Sequence, residues 1–199
     1  MKKTVAFSIL VLIAALIAAA VPTDAEAMIY DDTVRLHILA NSDKEDDQRL
    51  KIAVRDGILE KYSDTLLECQ STDDAERVIN GLIPSIEADA ESIIKNAGYD
   101  YSVTATLGKE WYDTRVYDDF TMPRGVYTSL QIIIGEGEGK NWWCVMYPPL
   151  CTELASENAP SDDAVADYSK AEVTLIRGGK YNVKFKILEI LSSAFTKNS

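Results

Sequence analysis

Cys144 and Cys151 are separated by six residues inside NWWCVMYPPLC, a stretch that also holds Trp142, Trp143, Pro148 and Pro149. Nearby thiols pair in an oxidising compartment. Tyr147-Pro148-Pro149 is stiff enough to bend the chain and bring the two α-carbons within disulfide range. Closing that eight-residue loop would stabilise the fold by about 2.5 kcal/mol on the chain-entropy model. The alternative is two reduced, buried cysteines acting as small hydrophobes. Cys69 has no evident mate.

His37 is the single histidine, which removes most zinc sites, so neither a metal nor a cofactor is expected. One thiol-hydrolase arrangement can still be written, with Cys144 as nucleophile, His37 as base and Asn41 or Asn141 orienting the ring. A histidine alternating along a strand is more often structural, and a disulfide at Cys144 excludes the dyad. GEGEGK is one residue short of a phosphate loop, lacks the hydroxyl residue after Lys140, and carries two glutamates that repel phosphate. Neither a GxSxG elbow nor an HExxH pair occurs. If Trp142 and Trp143 sit in a strand they point to opposite faces, so one fills a core and the other meets a loop, a terminus or a partner.

The 199-residue chain has 47% hydrophobic residues and a formal charge of −12, enough apolar material for one ordinary core. An acidic surface without polybasic stretches repels phosphate backbones and anionic lipid, which argues against nucleic-acid binding and electrostatic membrane adhesion. The first segment stands apart. Lys2 and Lys3 precede an apolar run from Val5 to Val21, and Ala25-Glu26-Ala27 matches a signal-peptidase site, so residues 1–27 read as an export signal cut after Ala27. The run is also long enough for a signal anchor. Removing residues 1–27 takes two lysines and two acids, so residues 28–199 keep the charge of −12.

These residues need elements to hold them. Val34, Leu36 and Ile38 alternate with Thr33, Arg35 and His37, a strand that stops at Asn41-Ser42-Asp43, where the side chains read as a helix cap. Leu50, Val54, Ile58, Tyr62 and Leu66 recur at four-residue spacing and predict a helix over 44–69. A second helix starts at Ser71-Thr72-Asp73-Asp74, ends near Gly98, and should kink at Pro84. The period then becomes two, predicting paired strands over 99–107 and 111–117, and another pair over 126–134 and 142–147 joined as a hairpin by GEGEGK. Residues 153–163 read as a surface loop and 181–195 as a closing helix. The fold class is α+β: a single domain, mainly an antiparallel sheet, with helices packed on one face.

RLHILANSD from Arg35 and NWWCVMYPPLC from Asn141, in this order behind an export signal, resemble the paired signature of the stage II sporulation protein R family of endospore-forming bacteria. The resemblance implies a signalling protein rather than an enzyme, with no small-molecule substrate. Such proteins are exported from the forespore into the space between forespore and mother-cell membranes. There they activate a membrane-embedded aspartic protease, which processes the precursor of sigma-E. On this reading Trp142, Trp143, Tyr147, Arg35, His37, Asn41 and Asp43 are the candidates for partner contact.

Overall fold

The computed structural model describes residues 2–20, 24–117, 120–148, 150 and 168–177. Cys151, the stretch over 153–163 and the expected helix over 181–195 lie outside the described residues. At the start, helix α1 (Lys2–Ala20) leaves Phe7 and Leu10 exposed, and α2 (Asp24–Asp31) buries Ile29 completely. The expected cleavage point after Ala27 therefore falls within α2. Among the described residues, no helix is long and apolar enough to cross a membrane.

Strand β1 (Val34–Leu39) is the centre of the fold, with Val34, Leu36 and Ile38 fully buried on one face. That face packs under α3 (Glu45–Leu67) and α4 (Thr72–Asn96), which supply Leu50, Val54, Ile58 and Leu66 and then Ala75, Ile79, Ile86, Ala90 and Ile94. Each of these isoleucines stabilises the fold by about 1.5–3 kcal/mol through burial. The Ser71 hydroxyl caps α4 by accepting the Asp74 N–H, and Asp73 and Asp74 face its positive end. Gly98, at φ +87°, ends it: the Tyr99 N–H returns to Ile94 O at 3.1 Å. The helix runs through Pro84, which sits inside it.

The remaining strands are β2 (Val103–Tyr112), β3 (Arg115–Val116), β4 (Thr121–Met122), β5 (Gly125–Ile134) and β6 (Asn141–Tyr147). A four-stranded sheet has the order β2-β5-β1-β6, and β3 pairs with β4 separately. Two sequence expectations change here. Residues 103–112 form one strand rather than two, because ten-residue β5 offers an unbroken antiparallel partner and Gly108 stays in the ladder. The hairpin across GEGEGK does not form: β1 lies between β5 and β6, parallel to the first and antiparallel to the second. The α+β class stands, with a mixed sheet.

The opposite face of the sheet is half covered. Helix α2, helix α5 (Lys170–Arg177) and the β3–β4 pair close a second apolar cluster of Ile29, Tyr112, Met122, Tyr127, Val145 and Ile176. Toward the end of β2 at Thr104 and Thr106 this face is open to solvent.

Candidate functional site

The loop of residues 135–140 must pass around the end of β1 to connect β5 with β6. Its glycines make that path possible. Gly137 takes φ +65°, and a Cβ on Gly139 would stand 2.3 Å from Ser42 O. Two backbone bonds seat the loop, Glu138 N–H to Asn41 O at 3.2 Å and Gly139 N–H to Ala40 O at 2.9 Å. Side chains complete the seat: Asn41 Oδ1 accepts the Glu136 N–H at 3.1 Å, and Asp43 Oδ1 accepts the Lys140 N–H at 2.8 Å. Lys51, a buried residue of α3, donates from its ammonium to Lys140 O at 2.8 Å. Burial lowers its pKa.

Asn41 and Asp43 therefore clamp a distant loop, whereas Ser42 stays with the start of α3, its Oγ accepting the Lys44 N–H at 3.2 Å; the N-cap of α3 is Lys44, with no side-chain cap bond. Asp47, on the first turn, receives Asn41 Nδ2 at 2.9 Å and Ser42 Oγ at 2.5 Å. Burial raises the Asp47 pKa, but hydrogen bonds from Ser42, Asn41 and Tyr101 outweigh it and hold the carboxyl below its ordinary value. Helical periodicity marks Asp47 and Lys51 only as polar positions, so their burial is a tertiary result.

Arg35 and His37 share the other face of β1. The Arg35 guanidinium is fully buried over the rings of Tyr112 and Tyr127, 4.4 and 5.2 Å from their centroids. Its Nε donates to Cys144 O at 3.0 Å and one terminal nitrogen to Tyr117 Oη at 3.1 Å, while the other terminal nitrogen has no hydrogen-bond partner among the described residues. His37 places Nδ1 2.7 Å from Glu110 Oε1 and Nε2 3.0 Å from Asn141 Oδ1. Its ring stacks on Trp143 at 5.3 Å, and the Arg115 guanidinium carbon lies over that indole, 3.7 Å from the ring centroid. Glu110 falls between the two strands expected over 99–107 and 111–117, so nothing local marks it. Its pairing with His37 spans three strands.

Trp142 and Trp143 do point to opposite faces, and both are half-buried. Trp142 packs on the α3–α4 side under Arg55, whose guanidinium carbon is 5.0 Å from the ring. The strongly exposed tryptophan is instead Trp111, at 60%. Tyr147 is buried and donates from its hydroxyl to Cys69 O at 3.4 Å. Of the seven contact candidates, only Asp43 is exposed; the others are buried or half-buried.

The Cys144 and His37 dyad fails on geometry. Cys144 pairs with Leu36 and faces the α3–α4 core, whereas His37 pairs with Trp143 on the opposite face. Asn141 does reach His37, but the Cys144 sulfur has the sheet between itself and the imidazole. Cys69 is a free thiol.

The fold and this corner define a single-domain α+β protein whose two distinctive sequence stretches are adjacent strands of one sheet. A family model described as Stage II sporulation protein R (spore_II_R) matches residues 30–157, which include both stretches. Stage II sporulation protein R of Bacillus subtilis (strain 168) is 36% identical over 160 residues, covering 76% of this chain and 71% of the relative. The chain belongs to the stage II sporulation protein R family. No solved structure matches it.

Proposed function

We propose that this protein is an exported sporulation signal that activates a membrane-embedded aspartic protease in the mother-cell membrane, so that the sigma-E precursor is processed. Residues 1–27 direct export into the space between the forespore and mother-cell membranes and are cut off after Ala27. The observation that carries this reading is the family match across residues 30–157, which takes in RLHILANSD and NWWCVMYPPLC together. Their arrangement supports a protein ligand: the two stretches are stitched into one rigid corner by Asn41, Asp43 and Lys51. Rigid surfaces bind with less ordering cost. In that oxidising space Cys144, buried in the middle of β6, pairs with Cys151 and closes the short segment that follows the strand. The −12 charge keeps the exported body off anionic lipid.

Co-expression in a host that does not sporulate tests this. The protease and the sigma-E precursor together should give little processing, and adding this chain with its leader should restore it. Full processing without the chain, or none with it, contradicts the reading.

A further inference from the structure

Among the described residues β2 is an edge strand, and half of its outer edge is already closed. Its register with β5 is constant from Val103↔Ile134 to Tyr112↔Gly125, so alternate residues turn their N–H and C=O toward β5 and away from it. Val103 and Ala105 belong to the outward set: their N–H groups donate to Glu91 Oε1 at 3.4 Å and Glu87 Oε1 at 2.8 Å, both on α4. By the same alternation Leu107, Lys109 and Trp111 direct their backbone groups outward, and among the described residues nothing bonds to them.

Natural edges are usually blunted by proline, a bulge, a charged side chain or a covering element, and of these, residues 107–112 carry only the charges of Lys109 and Glu110. Residues 107–112 contain no proline and no bulge, and both flanks are shaped for side chains. On the α4 side Trp111 stands 60% exposed beside its cross-strand neighbour Val126, 47% exposed. On the other side is a hollow of about 140 Å³ lined by Thr106, Gly108, Lys109, Glu110, Ser129 and Gln131. Gly108 keeps it open, for nothing lies within 4 Å of where its Cβ would be. The one acid in the hollow is Glu110.

A second copy of the chain is a poor occupant. A two-fold pairing that uses the whole open half sets Lys109 opposite Lys109 or Glu110 opposite Glu110, and each chain carries −12. We propose that residues 107–112 dock an extended segment of a partner protein as a fifth strand. Its alternate side chains are basic where they enter the hollow beside Glu110 and apolar where they lie on Trp111. The outward backbone groups supply affinity and the two flanks supply selectivity. This edge chemistry stands whether or not the signalling role does.

The probe is a capped seven-residue peptide alternating arginine and valine, at millimolar concentration, added to the purified full chain in mild non-ionic detergent. Amide hydrogen exchange is read residue by residue. Exchange at Leu107, Lys109 and Trp111 should slow by about tenfold or more. A peptide with glutamate in place of arginine should do so far less. Lys109→Pro, which removes an outward donor without touching the β5 ladder, should abolish the effect. Should that variant fold poorly, Glu110→Gln in a folded chain should erase the preference for arginine over glutamate. The proposal is overturned if those three amides do not respond, if both peptides protect them equally, or if they are already protected in the chain alone by self-association.

Discussion

Asp43 accepts the backbone N–H of Lys140 at 2.8 Å, and that bond joins the end of RLHILANSD to the start of NWWCVMYPPLC. With Asn41 on Glu136 it converts a glycine-rich crossing of the sheet into a fixed corner.

Removing that bond should loosen the corner without unfolding the sheet. Asp43→Ala is expected to lower stability by about 1–2 kcal/mol, because a backbone donor loses a charged acceptor but remains near water. Amide exchange at Glu136 and Lys140 should rise while that of Leu36 and Ile38 stays slow. Equal acceleration throughout would show that the clamp is not local.

Asp47 makes the corner sensitive to acid. Its folded pKa lies below the ordinary 3.8, so its contribution is complete above that value and is lost as pH falls through the lower, folded value. Wild-type stability should therefore drop below about pH 3.8, and Asp47→Asn should flatten that part of the profile. The asparagine variant should also be less stable at neutral pH by about 1.5–3 kcal/mol, since Asn41 and Ser42 then donate to a neutral amide. Denaturant titrations across pH give both numbers.

Arg35 is held by shape as well as charge. Arg35→Lys keeps the cation but loses the planar stack on Tyr112 and the fork reaching Cys144 O and Tyr117. A loss of about 2–3 kcal/mol is expected in chemical denaturation, with the far-ultraviolet spectrum unchanged. A neutral effect would mean that the guanidinium's geometry contributes nothing.

Much of this was legible in the sequence. The alternation through Val34, Leu36 and Ile38 gave β1, and four-residue spacing gave α3 and α4 within a few residues, because local periodicity reports burial directly. What failed was long-range pairing. GEGEGK has the composition of a hairpin turn, but nothing local to it records that β1 enters the sheet between its two flanking strands. Gly108 reads as a break, yet the ladder to β5 carries through it. The candidate site divides the same way. Opposed faces for Trp142 and Trp143 follow from strand geometry, whereas Glu110, Asp47 and Lys51 acquire partners only through the tertiary fold.

The three tryptophans should separate on mutation. Trp111→Ala is expected to change stability by no more than about 0.5 kcal/mol, since its side chain is largely solvated. Trp142→Ala and Trp143→Ala should each cost more, toward the lower end of the roughly 3–5 kcal/mol range for core tryptophans because both are half-buried. Melting curves of the three variants provide the comparison, and a Trp111 loss equal to the others would contradict the assigned exposures.

The account's central claim is that this chain carries a signal from one cell to the other. The direct measurement is an immunoblot of the sigma-E precursor in sporulating cells lacking only this gene, with and without a copy expressed solely in the forespore. The account predicts that the precursor stays uncut in the deletion strain and is processed again when the forespore supplies the protein. Normal processing in the deletion strain, or no recovery from a forespore copy that is made and exported, would contradict it.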